Sequence, residues 1–217
     1  TLLDEPLGNL DYKLREELRS ELRSFFADGQ TAVVYATAEP HEALFLSGTG
    51  DAPGSIAVLD EGRLLQMGGV ESVYRAPVSE QVARIFSDPE LNVFDVTVEE
   101  GRVRADRDDS LSFERTGALA ALPLGPAHLG VRAHDLLLAP RGARDVRVST
   151  EVTLEEVSGS ETLLRARSSH SVAQRPLAWT AQWQGTHRHG LGARLDLFID
   201  PRALLAFNAQ GAAVSGR

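Results

Sequence analysis

The chain has 217 residues, of which 42% are hydrophobic and 24% charged, values typical of one large or two small globular domains. Its formal net charge of −9 argues against nucleic acid as the main partner, because nucleic-acid binding relies on clustered Lys and Arg to neutralise phosphates. The sequence contains no cysteine, which excludes disulfides and thiolate metal sites and fits a reducing compartment. No apolar run approaches the roughly 18–20 residues that a membrane-spanning helix needs.

Residues 1–86 alternate strand and helix signals, which predicts an α/β layer with parallel strands. A helix is predicted from an Asp11 cap to Asp28-Gly29, with an apolar face formed by Leu14, Leu18, Leu22 and Phe25. The segment 31–36 is short, apolar and β-branched, which is typical of a strand buried on both faces. The other predicted elements are a helix over 39–45, a hairpin over 55–67 with Gly62 at positive φ, and helices over 70–74 and from a Ser79 cap to 86.

Beyond residue 88 the chain consists of short alternating segments separated by Gly, Pro and Asp, which predicts an all-β module. A second hairpin is expected where 93–98 and 102–105 flank Glu99-Glu100-Gly101. Further strands are predicted over 129–131, 146–154, 162–167 and 193–199, and a loop over 185–192.

The segment Leu2-Leu3-Asp4-Glu5-Pro6 is an apolar strand end followed by two adjacent carboxylates. Ligands of open α/β folds bind at the carboxyl edge of the sheet, where this pair would lie. Since neighbouring side chains on a strand point to opposite sides, one carboxylate can hold Mg²⁺ while the other orients or deprotonates a water that attacks a phosphate. Taken alone, the pair is more typical of a structural cap or a plain surface pair.

The run continues through Leu7-Gly8-Asn9-Leu10-Asp11 and Lys13-Leu14-Arg15-Glu16-Glu17-Leu18. It resembles the Walker B strand, catalytic glutamate and D-loop of ATP-binding cassette (ABC) ATPases, most closely the subunits that energise carbohydrate importers of the maltose and glycerol-phosphate type. The resemblance implies that Asp4 coordinates Mg²⁺ through water and that Glu5 polarises the hydrolytic water. It also implies that Asn9 and Asp11 communicate across a nucleotide-sandwich dimer.

The resemblance also covers later segments of the chain. Residues 58–68 and 73–77 follow the family's order, with 47–54 expected as a longer surface loop. Gly130-Val131-Arg132-Ala133-His134-Asp135 is similar to an element of the family's accessory domain, with Ala133 replacing a proline. The implied architecture is the C-terminal half of an ABC nucleotide-binding domain over 1–86, a partial RecA-like P-loop NTPase sheet with helices, and an all-β OB-like (TOBE) accessory domain over 87–217.

One departure concerns the family's switch histidine, which contacts the γ-phosphate and falls at Ala38 in this chain. An alanine side chain offers no hydrogen-bond donor. His41 lies three residues on and is expected as a solvent-facing helix residue, with a substitute role as the alternative. The resulting hypothesis is a weakened ATP site that works beside a non-identical, competent ATPase subunit.

The phosphate-binding loop G-x-x-x-x-G-K-[ST] has no match, since Lys13 is the only lysine. The opening Thr1-Leu2-Leu3 is typical of the end of a strand, which suggests a fragment, and we expect the chain by itself not to hydrolyse ATP. Leu46-Ser47-Gly48-Thr49-Gly50 resembles the family's signature motif, but it follows the Walker B strand and is expected to be an ordinary loop.

The resemblance implies a parent protein that uses ATP and Mg²⁺ to import a sugar, polyol or glycerol-like solute. Its partners would be membrane permeases and the second ATPase subunit, with the protein peripheral on the cytoplasmic face of the membrane. The alternatives are a non-catalytic regulatory or assembly subunit, and an oxyanion- or metal-binding sensor. Trp179 and Trp183 could line a sugar subsite, although packing between strands is favoured, and the histidine spacing argues against a metal site.

Overall fold

The computed structural model describes residues 1–8, 10–27, 31–48, 54–170 and 175–214. The chain divides into two compact units, Thr1–Val78 and Ser79–Arg217. In the part of the chain that is described, no helix is both long and apolar enough to cross a membrane.

The first unit mixes short strands with helices, as predicted. Its elements are β1 (Leu2–Asp4), α1 (Tyr12–Ala27), β2 (Val34–Ala36), α2 (Pro40–Ser47), β3 (Ile56–Asp60), β4 (Arg63–Gly68) and α3 (Val70–Arg75). The β3–β4 hairpin turns through Glu61 and Gly62, whose φ angles are +45° and +74°, and Gly62 therefore has the predicted positive φ. Parts of three predictions lie outside the described residues. They are the end of α1 at Asp28-Gly29, residues 49–53 of the expected loop, and Thr49-Gly50 of the signature-like stretch.

The strands β1 and β2 pair in parallel, but the prediction that 31–36 forms a strand buried on both faces is wrong. Val34 is 64% exposed and its register partner Leu2 is 82% exposed. The physical reason is that β1 and β2 form a sheet of two strands among the described residues, so no further layer covers these side chains.

The second unit consists mainly of strands, which confirms the predicted strand-rich module. Its elements are α4 (Glu80–Ile85), β5 (Asn92–Val98), β6 (Arg102–Ala105), β7 (Ser112–Glu114), β8 (Gly125–Val131), β9 (Leu136–Leu137), β10 (Val146–Val157), β11 (Glu161–Ser168), β12 (Ala178–Gln184), β13 (Arg194–Ile199) and β14 (Leu205–Asn208). Two five-stranded sheets result, in the orders β14-β8-β5-β6-β7 and β12-β11-β10-β13-β9. The predicted loop over 185–192 contains no helix or strand.

One hydrophobic core is shared by the two sheets of the second unit. Phe94 of β5 and Trp179 of β12 lie in it with ring centroids 5.4 Å apart. Trp179 is 1% exposed and its indole donates to Ser168 Oγ at 2.9 Å, so this side chain packs between strands and is not available to a sugar. Trp183 is half-buried and its indole donates to the Leu136 carbonyl.

Helix α4 is attached to the strands of the second unit by polar contacts. Ser79 accepts the Val82 amide as the predicted cap, and the Glu80 amide donates to the Gly211 carbonyl at 2.8 Å. The Glu80 carboxylate lies 2.8 Å from His128 Nδ1 on β8. Burial acts to raise the pKa of Glu80, but hydrogen bonds from His128 and Arg84 outweigh it and hold the pKa below the usual value. From the sequence, α4 is assigned to the first domain, which ends at residue 86, whereas the contacts of α4 lie in the second unit. The domain boundary at residue 86 stays a prediction.

Candidate functional site

The parallel pairing of β1 with β2 brings Asp4 and Glu5 next to the loop that follows β2. Asp4 is the register partner of Ala36, and the Glu5 amide donates to the Ala36 carbonyl at 2.9 Å. Because parallel strands end at the same edge of a sheet, the carboxylates lie beside residues 37–39, which connect β2 to α2.

Glu5 is held by hydrogen bonds in an uncommon backbone conformation. Its φ is +43°, in the left-handed region that non-glycine residues seldom adopt. Its carbonyl accepts the Gly8 amide at 3.1 Å, and its Oε1 accepts the Ala38 amide at 2.5 Å. Such backbone strain persists where the surroundings impose it, and it is common at functional sites. The other oxygen, Oε2, accepts no hydrogen bond from the described residues, so it is available to a water molecule.

The Asp4 carboxylate is exposed at the end of β1 and has no hydrogen-bond or ion-pair partner among the described residues. Mg²⁺ in nucleotide sites takes one or two carboxylates and keeps several waters. A free, exposed carboxylate at a strand end therefore fits the predicted magnesium ligand.

The other predicted site residues have different surroundings. Asp11 Oδ1 accepts the Leu14 amide at 3.1 Å, which makes Asp11 a cap of α1 as the sequence suggested. Asn9 lies outside the described residues. The roles of Asn9 and Asp11 across a dimer stay predictions. Ala38 is exposed, and its backbone amide, not its side chain, contacts Glu5. His41 lies in the first turn of α2.

Two residues on the elements that flank residues 37–39 were missed by sequence reasoning. The Tyr35 hydroxyl on β2 donates to Oε2 of Glu42 on α2 at 2.8 Å, and Glu42 is only 5% exposed. Burial, then the hydrogen bond to Glu42, then the negative charges of Glu42 and Glu5 raise the pKa of Tyr35 well above its usual value. The available signal was a single acid, Glu42, directly before the apolar stretch Ala43-Leu44-Phe45-Leu46 of the helix.

Asp4 fits a magnesium ligand, but in the part of the chain that the structure describes no phosphate cradle accompanies it. Lys13 is exposed on α1, where its Nζ lies 4.0 Å from a carboxylate oxygen of Glu17. Leu46 and Ser47 of the signature-like stretch end α2 rather than open a helix, and Ser47 Oγ donates to the Ala43 carbonyl at 2.6 Å.

Comparison with known proteins gives relatives along most of the chain, although no protein-family model matches it. The xylose/arabinose import ATP-binding protein XacK of Haloferax volcanii is 34% identical over 171 residues, which cover 76% of this chain and 42% of that protein. The sn-glycerol-3-phosphate import ATP-binding protein UgpC of Chromobacterium violaceum is 27% identical over 209 residues, 96% of this chain and 53% of that protein. The chain is a relative of the ATP-binding subunits of ABC importers.

The chain spans about half the length of these importer subunits, with 42% of XacK and 53% of UgpC covered. Among solved structures, the cytoplasmic molybdate-binding protein ModG matches 54% of this chain and 95% of its own, with 17% identity and a TM-score of 0.40. That similarity is too low to carry an argument.

Proposed function

We propose that this chain is part of the ATP-binding subunit of an ABC importer, in which ATP hydrolysis drives uptake of a sugar, polyol or glycerol-phosphate-like solute. The observation that carries the proposal is the arrangement of Asp4 and Glu5 at one sheet edge, with Glu5 fixed by the Ala38 amide. The relatives named for xylose/arabinose and sn-glycerol-3-phosphate import support the class of solute.

The two carboxylates have separate tasks in this proposal. Asp4 binds Mg²⁺ through water, and the ion, when bound, neutralises charge on the phosphates that are transferred. Glu5 uses its unpaired Oε2 to hold the attacking water, because Oε1 is already occupied by the Ala38 amide. The hydrogen bond from the Ala38 amide to Oε1 holds the Glu5 side chain, so the carboxylate needs little reorganisation before it can act.

The wider assignment follows from the same proposal. Residues 1–86 are the C-terminal half of a RecA-like nucleotide-binding domain, and residues 87–217 are an OB-like (TOBE) accessory domain. The subunit pairs with a second ATPase in a nucleotide-sandwich dimer, through Asn9 and Asp11, and binds permeases at the cytoplasmic face of the membrane. Because Ala38 replaces the switch histidine, its ATP site is weakened, and the second ATPase is a different, competent subunit.

Uptake in cells that carry Asp4→Asn in the full-length protein tests this function. We expect uptake of one labelled solute, among sugars, glycerol and glycerol 3-phosphate, to fall by at least about tenfold, because the amide weakens magnesium binding. The control is Asp109→Asn, which neutralises an exposed acid of the second unit and should leave uptake unchanged. Uptake of all these solutes at the wild-type rate in Asp4→Asn cells would contradict the proposal.

A further inference from the structure

Glu42 is a buried carboxylate to which the proposed hydrolytic mechanism gives no task. It is 5% exposed, and acidic side chains are seldom buried to this degree unless a partner compensates them. The partner is Tyr35, whose hydroxyl donates to Glu42 Oε2 at 2.8 Å. The Tyr35–Glu42 pair therefore connects the end of β2 to the first turn of α2.

The pair spans the loop that contains Ala38. Tyr35 precedes residues 37–39 and Glu42 follows them, so their hydrogen bond fixes the distance between the two ends of the loop. Inside the loop, Thr37 Oγ1 accepts the Glu39 amide at 3.0 Å. The intervening Ala38 amide donates to Glu5 Oε1 at 2.5 Å.

Tyr35 also lies close to the strand that carries Glu5. It is the register partner of Leu3, and the next residue, Ala36, accepts the Glu5 amide. Burial, then the hydrogen bond to Glu42, then the charges of Glu42 and Glu5 raise the pKa of Tyr35, so its hydroxyl remains a donor to Glu42. Tyr35 thus connects two elements near Glu5: its side chain is bonded to α2, and its backbone pairs with β1.

We infer that Tyr35 and Glu42 are positioning residues for Glu5: they hold the 37–39 loop so that the Ala38 amide fixes the Glu5 carboxylate in the orientation that hydrolysis needs. The structural part of this inference depends on the contacts alone. Its catalytic part rests on the proposed function.

Amide hydrogen exchange of the 217-residue chain, followed by NMR, tests the structural part. Tyr35→Phe removes the hydroxyl and keeps the ring, and we expect about tenfold faster exchange at the Ala38 amide. Glu42→Gln keeps an oxygen that accepts the Tyr35 hydroxyl and should leave that exchange rate within about twofold of wild type. Amides of the β3–β4 hairpin should not change in either variant. Unchanged exchange at Ala38 in Tyr35→Phe, or an equal rise in the hairpin, would overturn the inference.

ATP hydrolysis by the full-length subunit tests the catalytic part, with the proposed second ATPase added in a form whose own catalytic glutamate is replaced. Tyr35→Phe should lower kcat by about tenfold with KM for ATP unchanged, and Glu42→Gln should retain a kcat near that of wild type. A raised KM with unchanged kcat in Tyr35→Phe would overturn the catalytic role. If Glu5→Gln also hydrolyses ATP at the wild-type rate, the proposed function fails, while exchange at Ala38 still decides whether the pair positions the loop.

Discussion

Ala38 combines a side chain without a hydrogen-bond donor with a backbone amide that makes a short contact to Glu5. In the family that the chain resembles, a histidine at this position contacts the γ-phosphate of ATP. The Ala38 amide can orient the Glu5 carboxylate, but the methyl group cannot stabilise charge on a phosphate. The backbone at this position therefore serves to orient the carboxylate, whereas contact with the nucleotide depends on the side chain.

Replacement of Ala38 by histidine should restore the missing contact. We expect Ala38→His in the full-length subunit to raise ATP hydrolysis and transport by the assembled importer at least about fivefold, because the imidazole supplies a donor towards the phosphate. The exposed position leaves room for the larger side chain. Ala38→Leu is the matched control, since it adds bulk without a donor and should not raise either rate. Equal rates in Ala38→His and wild type would rule out the weakened-site hypothesis.

Asn92 is the clearest case of one side chain that holds several elements together. On β5, its Nδ2 donates to the Val131 carbonyl of β8 at 3.1 Å and to the Thr180 carbonyl of β12 at 2.8 Å. The Thr180 amide donates back to Asn92 Oδ1 at 2.6 Å. The side chain therefore links the two sheets of the second unit and satisfies the polar groups of Thr180.

Loss of this side chain should destabilise the second unit. For Asn92→Ala we expect the free energy of unfolding to fall by about 2–4 kcal/mol, because buried backbone groups lose their partners. Urea unfolding followed by tryptophan fluorescence measures this, since both tryptophans lie in the second unit. Gln184→Ala, at an exposed position, should change the free energy by less than about 0.5 kcal/mol. If the two variants unfold at the same urea concentration, Asn92 does not link the sheets energetically.

Strand β12 shows which elements the sequence could have predicted. Trp179, Ala181 and Trp183 alternate along it, and the first two are buried, which is the period of a strand. No strand is predicted here in the sequence analysis, although this alternation is its signal. Strands β7 and β9 have three and two residues, too few for any periodicity to identify them.

At the scale of the molecule, the sequence predicted the types of secondary structure better than it predicted burial and contacts between elements. The mixed helices and strands of the first unit and the strand-rich second unit are confirmed, because hydrophobic periodicity and Gly or Pro punctuation are properties of short segments. The burial of β2 was wrong, because burial depends on what covers a strand. The contact between Tyr35 and Glu42 depends on the path of the loop between them, which no spacing rule specifies.

The central claim, that Glu5 serves ATP hydrolysis, is tested most directly by single-turnover hydrolysis with the purified full-length subunit. The proposed second ATPase is added in a form whose own catalytic glutamate is replaced, so that hydrolysis is measured only at the sites that contain Glu5. We expect Glu5→Gln to bind ATP but to hydrolyse it at least about 100-fold more slowly, because the amide cannot act as a base. The control, Glu71→Gln on the surface of α3, should hydrolyse ATP at the wild-type rate. Equal hydrolysis rates in Glu5→Gln, Glu71→Gln and wild type would contradict the account.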